Sequence, residues 1–424
     1  MSFLISAPAS GSGKTTVTLG LLRAFSRRNP IRSAKSGPDY IDPAFHAAAS
    51  GGPCVNLDAW AMTPDRIRAL AAGSGPLIVE GAMGLFDGAP PAGKGSSADL
   101  AKILHLPVVL VIDAGRMAGS VGALAQGFMR YDPDLQVAGV ILNNVGSPRH
   151  EDMLRAALQD VTIFGALPRD AALHLGSRHL GLVQAQERPD LETFLDHAAD
   201  LVTQHLDLTA LQKLDTPRPR AGASPRLPPP AQRIAIARDA AFAFAYPHLL
   251  DDWCAGGAEL QFFSPLADDP VPDADFIYLP GGYPELHAGR IAANTQFLDS
   301  LRQTKASIYG ECGGYMVLGD GLVDGGGTRH AMAGLLRLET TFAQRKLHLG
   351  YRYLHAAQGP FAGHWAGHEF HYASTLRAEG TPLFIASDAT GAALPPMGLI
   401  AGRVAGSFAH LIDAFAIVSP YTAA

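Results

Sequence analysis

Cysteine is scarce in this chain: three among 424 residues, at Cys54, Cys254 and Cys312. An odd, sparse set excludes a disulfide framework and suits a reducing compartment, so the cytoplasm is the expected location. Positive charge is also short. The 33 Lys and Arg residues face 39 Asp and Glu, and the formal net charge of -6 offers no basic field for a nucleic-acid backbone. Long hydrophobic runs are missing too. None reaches the roughly 18–20 residues that span a bilayer, and the apolar opening Met1–Ile5 lacks the basic stretch that begins a signal peptide. Both nucleic acid and membrane are therefore excluded as expected partners. What remains is a globular composition, 47% hydrophobic and 17% charged, long enough for two or three domains.

Proline concentrates between Lys213 and Ala231, where it blocks helix and central strand and no apolar periodicity asks for burial. The expected organisation is a first domain over 1–212, a linker over 213–231 and a second domain over 232–424. Before the linker, β-branched apolar runs at Phe3–Ala7, Ile31–Lys35, Leu77–Glu80, Val108–Asp113 and Val137–Asn143 alternate with helical spacing at Val17–Arg28 and Gly119–Arg130. Near-continuous apolar strands between helices predict a doubly wound parallel sheet, an α/β fold with its ligand site at the carboxyl ends of the strands. After the linker the alternation resumes at Arg233–Ala237, Glu259–Phe263, Phe276–Leu279 and Ser307–Tyr309. Beyond Gly325 it gives way to strands around Leu349–Ala356, His368–Ala373 and Leu399–Val404.

The first strand runs into Pro8-Ala9-Ser10-Gly11-Ser12-Gly13-Lys14-Thr15-Thr16. Glycines allow successive backbone N–H groups to form an anion nest, Lys14 adds a charge, and the following helix presents its positive end. The pattern predicts a nucleotide site made by Gly11, Ser12, Gly13, Lys14, Thr15 and Thr16, although Pro8 replaces the usual first glycine. Carboxylates fall at neighbouring strand ends: Asp39 and Asp42 after strand two, Glu80 and Asp87 after strand three. With Thr15, the carboxylates Asp42 and Glu80 form an expected Mg²⁺ set, since hard oxygen ligands suit that ion. Each aspartate sits equally in a context that caps helices or forms turns. Asp113 reads about equally as a helix cap. Asn143 ends another strand, where its amide suits an adenine edge as well as it suits a turn. Arg178 and His179 suit carboxylate recognition or a solvated turn.

In the second half, Tyr309-Gly310-Glu311-Cys312-Gly313-Gly314 joins a strand to a helix with small residues beside a thiol. That is the pattern of a nucleophile elbow, and a helix start would favour the Cys312 thiolate while Gly313 N–H faces an oxyanion. Leu279-Pro280-Gly281-Gly282 supplies a second donor at Gly281 or Gly282. His410, in Gly406-Ser407-Phe408-Ala409-His410, is the candidate base. Cys54 and Cys254 lack such surroundings and read as buried packing. His368, Glu369 and His371 resemble a metal set only weakly.

Together, GSGKTT, KSGPDYIDPAFH, VEGAMGLFDG, SRHLGLV, LPGGYPELHA, YGECGGYMVLG, GHEFHY and GSFAHLI resemble the cobyrinic/hydrogenobyrinic acid a,c-diamide synthases of cobalamin biosynthesis. The resemblance implies a dethiobiotin-synthetase-like ATPase domain joined to a class I glutamine amidotransferase domain. It implies a ligase that turns ring carboxylates into carboxamides with ATP and glutamine, Cys312 as nucleophile and His410 as its activator. Asp39, Asp42, Glu80 and Asp87 fall in the ATP and substrate site. Many amidotransferases carry a glutamate two residues after the histidine; here that position is Ile412, so something else must orient the imidazole. Free ammonia is mostly protonated in neutral water, so its passage between two centres within the molecule is expected. A related tetrapyrrole such as nickel-sirohydrochlorin is an alternative substrate. A ParA/MinD-like ATPase switch is disfavoured because Ala9 stands where such switches carry a lysine. The sequence leaves oligomeric state open, a homodimer among the options.

Overall fold

The computed structural model describes residues 1–173, 176–178, 181–214 and 224–415. They form two compact units, Met1–Ser224 and Pro225–Ala424.

The first unit is built on seven strands: β1 (Ser2–Ser6), β2 (Arg32–Ser36), β3 (Cys54–Leu57), β4 (Leu77–Glu80), β5 (Val108–Asp113), β6 (Val137–Val145) and β7 (Ile163–Pro168). Their order is β3-β2-β4-β1-β5-β6-β7, and every pairing is parallel. Phe3, Leu4 and Ile5 on β1, and Val108 to Ile112 on β5, are all fully buried. Side chains on both faces of these strands lie in core, which is why the sequence shows runs rather than alternation. Each such residue gains roughly 1.5–3 kcal/mol from burial. Helices α1 (Lys14–Ser26) and α2 (Asp42–Ser50) leave the carboxyl ends of β1 and β2. Helix α1 crosses the helix Leu191–His205 closely at Gly20, where a Cβ would meet Ala198 O at 2.7 Å. A short pair, β8 (Ser177–Arg178) and β9 (Gly181–Leu182), follows β7.

The second unit has a six-stranded sheet and two smaller ones. Strands β10 (Arg233–Ala237), β11 (Glu259–Phe263), β12 (Phe276–Leu279) and β13 (Ser307–Glu311) are parallel to their neighbours. Next come β14 (Gly321–Val323), β15 (Arg329–Ala331), β16 (Arg337–Thr341), β17 (His348–Ala356), β18 (Gly363–His371) and β19 (Ser374–Glu379). The last are β20 (Phe384–Asp388), β21 (Ala393–Met397), β22 (Leu399–Ala401), β23 (Val404–Ser407) and β24 (His410–Ala414). The main sheet has the order β11-β10-β12-β13-β23-β22; β23 joins in parallel and β22 closes the edge antiparallel. The antiparallel sheet β21-β20-β17-β18-β24 brings β24 beside β18.

Three sequence expectations need correction. The run Leu399–Val404 is not one strand: it is split by a turn in which Gly402 adopts φ +58°, giving β22 and β23. The strand expected over His368–Ala373 starts earlier, at Gly363, and ends at His371. Cys254 is exposed, because the helix Pro247–Ala255 turns Leu250 and Trp253 inward and leaves the thiol on its outer face. Within the proline-rich segment, residues 224–231 carry no helix or strand, and buried Leu227 donates its N–H to Asp252 Oδ2 at 2.9 Å.

Candidate active site

In the first unit, β1 ends in the glycine-rich loop. Gly11 and Gly13 adopt φ +81° and +88°, a region L side chains rarely enter, and Gly13 caps α1. A Cβ on Gly13 would also overlap the Asn143 amide, which donates from Nδ2 to Ser12 O at 3.0 Å. Asn143 is thus drawn from the end of β6 onto the phosphate loop. Lys14 is buried, and burial lowers its pKa most, with Glu80 and Asp42 opposing.

The carboxylates converge on Lys35. Its Nζ lies 2.5 Å from Asp42 Oδ2, 2.9 Å from Glu80 Oε1 and 4.0 Å from Asp39 Oδ2. Burial works to lower the Lys35 pKa, but Asp42, Glu80 and Asp39 overcome it and hold the ammonium above its ordinary value. Thr15 donates its hydroxyl to Glu80 Oε1 at 2.7 Å, and His46 Nε2 sits 2.7 Å from Glu80 Oε2. Burial would raise the fully buried Glu80, yet Lys35, His46 and Thr15 hold its pKa below the usual carboxylate range. Asp42 goes the other way. Burial and then Asp39 push it up to about 7, against Lys35. Thr15, Asp42 and Glu80 thus gather hard oxygens in one dry cluster, the donor chemistry a divalent cation takes, with Lys35 and His46 set against the carboxylates. Asp39 spends Oδ1 on the Ile41 and Asp42 N–H groups at 2.8 and 3.0 Å, opening α2, and Asp87 Oδ2 accepts the Gly84 N–H at 2.8 Å. Asp113 accepts from Gly115 N and Asn144 Nδ2, as a turn former would.

In the second unit, Cys312 stands between β13 and the helix Gly313–Leu318 with φ +45° and ψ -102°. This strained turn is what a nucleophile elbow requires, and Gly310 and Gly314 permit it: a Cβ on Gly310 would lie 2.7 Å from the Gly314 carbonyl carbon. Cys312 is buried. A Cβ placed on Gly281 would lie 2.9 Å from His410 Nε2 and 3.2 Å from Cys312 Cβ, so the expected nucleophile and the expected base flank the space this glycine leaves open. Gly282 N lies 3.0 Å from where a Cβ on Gly313 would stand, which brings the two expected oxyanion donors side by side.

The expected thiolate is not the resting form. Burial, then Glu285, push the Cys312 thiol well above its ordinary value, and a hydrogen bond from Gly313 N–H recovers only part of that. One short helix does not outweigh the loss of water.

Around His410, β24 pairs with β18 so that His368 lies opposite it. Burial, then His410 and Arg352, bring the His368 pKa down to about 3. Glu369 accepts from Arg352 Nη2 at 2.8 Å and faces His371 Nε2 at 2.9 Å. Although buried, it is held at about 2 because His371 and Arg352 outweigh the burial. His371 lies between the His348 and Phe408 rings, with centroids 4.6 and 4.0 Å away. His348, Glu369 and His371 offer three ligand atoms within 4.8 Å of one another. Arg352 already occupies Glu369, and the His348 and His371 planes are only 7° apart, so their lone pairs run parallel instead of meeting at an ion.

A CobQ/CobB/MinD/ParA nucleotide binding domain matches residues 3–183, and a CobB/CobQ-like glutamine amidotransferase domain matches residues 233–415. The hydrogenobyrinate a,c-diamide synthase of Brucella anthropi is 56% identical, with 97% of this chain and 98% of that protein aligned. Those of Rhizobium meliloti and Rhodobacter capsulatus are 54% and 53% identical, over 97% and 96% of this chain and 98% of each. The chain belongs to the hydrogenobyrinate a,c-diamide synthase family.

In this family member the phosphate loop, Asp42 and Glu80 gather in one unit, and Gly281, Gly282, Cys312, Gly313 and His410 in the other. His179 and the Arg178 side chain lie outside the described residues. Sequence reasoning missed His46, which holds Glu80 from α2 and whose Nδ1 lies 3.5 Å from Cys54 Sγ. It also passed over Glu311, whose Oε2 lies 3.5 Å from His410 Nδ1. A charged residue ending an otherwise apolar strand, next to the nucleophile, was the available signal.

Proposed function

We propose that this chain carries out ATP- and glutamine-dependent amidation of the a and c acetate side chains of hydrogenobyrinic acid, in cobalamin biosynthesis. The observation that carries the reading is the convergence of Cys312, His410 and the Gly281 gap in a chain that also holds a phosphate loop beside buried carboxylates. We assign the ligase to residues 1–212 and the glutaminase to 232–424.

In the glutaminase, His410 Nε2 takes the Cys312 proton and the sulfur attacks the glutamine carboxamide carbon. The Gly282 and Gly313 N–H groups face the oxyanion. The protonated imidazole returns its proton to the leaving nitrogen, ammonia departs, and water then hydrolyses the thioester to glutamate. In the ligase, Gly11, Ser12, Gly13, Lys14, Thr15 and Thr16 hold the ATP phosphates while a substrate carboxylate oxygen attacks the γ-phosphorus and ADP leaves. Ammonia attacks the acyl phosphate carbon, and phosphate departs as the carboxamide forms. Thr15, Asp42 and Glu80 would hold Mg²⁺, which supplies charge neutralisation at the phosphates when bound. We assign Asp39 and Asp87, which follow neighbouring strands, to the ATP and substrate site as well. Three free cysteines suit a cytoplasmic enzyme.

Cys312→Ser tests the division of labour. Glutamine-driven amidation should be lost while ammonia-driven amidation persists. Loss of both in a folded protein would refute it.

A further inference from the structure

The resemblance leaves open what orients His410, because Ile412 stands where many amidotransferases carry a carboxylate. A carboxylate does reach the ring, from another strand. Glu311 Oε2 lies 3.5 Å from His410 Nδ1. The same side chain is pinned at both oxygens: Tyr278 donates its hydroxyl to Oε2 at 2.7 Å, and Leu411 donates its N–H to Oε1 at 3.1 Å. Glu311 is 1% exposed and Tyr278 likewise. We propose that Glu311, the residue immediately before the nucleophile, is the positioning residue that replaces the missing third member of the triad.

The backbone explains how one residue serves this role. Glu311 ends β13, parallel to β23, and its register partner is Ser407, three residues before His410. The chain then turns through Phe408 and Ala409 into β24, so His410 returns against the end of β13. Cys312 leaves the same strand end, and its N–H donates to Ser407 O at 2.8 Å. Cys312, Glu311 and His410 are thus held together by the end of β13, its partner β23 and the start of β24.

The orientation suits the chemistry. With Nδ1 toward Glu311, the ring turns Nε2 toward the gap at Gly281 and Cys312. A carboxylate accepting from Nδ1–H selects the tautomer whose Nε2 lone pair takes the thiol proton, and it stabilises the imidazolium that results. That help matters more here because Cys312 rests as a buried thiol. The contact, long in the resting enzyme, would shorten as charge develops on the ring. Glu311 touches neither glutamine nor the sulfur in this scheme; it acts through His410.

This rests on the proposed glutaminase reading, and the test separates the two. Glu311→Gln keeps shape and removes charge. It should lower the glutaminase kcat on the order of 10²–10⁴-fold, as in triads that lose their carboxylate. KM for glutamine should stay within about threefold, and ammonia-driven amidation should be unchanged, because Glu311 holds the base and not the substrate. Glu311→Asp should recover part of the lost kcat by restoring charge. A Glu311→Gln enzyme with glutaminase kcat near wild type would overturn the proposal while leaving the reading intact, since Cys312→Ser tests that alone. If Glu311→Gln does not fold, Tyr278→Phe decides. Nearly isosteric, it removes one anchor of Oε2, and kcat should fall at least about threefold with KM unchanged. An unaltered kcat there overturns the proposal.

Discussion

Replacing Gly281 with alanine adds one methyl group where the structure leaves space between nucleophile and base. The new Cβ would stand 2.9 Å from His410 Nε2, 3.2 Å from Cys312 Cβ, and in overlap with His410 Cε1. Gly281 is not among the glycines at positive φ, so alanine meets no backbone objection and the effect is steric. Neither neighbour has room to yield. His410 is fully buried against Glu311, Tyr246 and the strand carrying His368, and Cys312 is fixed by its elbow. Relief needs a shift of roughly 0.5–1 Å between ring and thiol, and a misplacement of that size costs on the order of 10²-fold in rate. Overpacking should also cost about 1–3 kcal/mol of stability. The assay is glutamate release by purified Gly281→Ala, with ammonia-driven amidation as the control for a working ligase. Expected is a glutaminase kcat about 10²-fold down and ammonia-driven turnover retained. Gly314→Ala supplies a contrast: its Cβ would strike the Leu279 backbone carbonyl, so it should appear as loss of folding rather than loss of rate. Glutaminase activity within about threefold of wild type in Gly281→Ala would refute the geometry.

Two further outcomes follow from the buried charges. Lys35→Met removes the cation that Asp42 and Glu80 share, leaving Glu80 with His46, and should destabilise the first unit by about 3 kcal/mol in urea unfolding; that remaining partner and the raised Asp42 pKa, which lets it protonate, keep the loss near the lower end of the usual range. His368, at about 3 in the fold, binds its proton more readily once unfolded, near 6.5, so its contribution is full above 6.5 and is lost as pH falls toward 3. Urea midpoints at pH 7.5 and 5 should therefore differ less in His368→Gln than in wild type, and equal differences would count against the burial argument.

The parallel core was legible because strands buried on both faces must be apolar throughout. Leu77–Glu80, Val108–Asp113 and Phe276–Leu279 have the bounds their apolar runs suggested. β3 escaped notice, being four residues long with the polar Asn56 inside; Asn56 is buried, and its amide donates to Gly37 O and Asp39 O. β21 was hidden by Pro395 and Pro396, tolerable because it is an edge strand. The phosphate loop and thiol elbow could be read locally, since their chemistry depends on glycines beside one reactive side chain. Glu311 and His46 could not. Their roles come from a neighbour 99 residues away in one case, His410, and 34 in the other, Glu80, and only the paired strands and α2 bring these partners together.

Transfer of nitrogen from glutamine to the ring substrate tests the central claim most directly. Hydrogenobyrinic acid, ATP, Mg²⁺ and glutamine labelled with ¹⁵N at the side-chain amide would be incubated with the purified protein, and the product weighed by mass spectrometry. The account predicts a diamide carrying ¹⁵N at both new amides, with unlabelled ammonium in the medium contributing little, and no labelled product from Cys312→Ser. Glutamate release without any ¹⁵N in the macrocycle, or label entering equally well with Cys312→Ser, would contradict it.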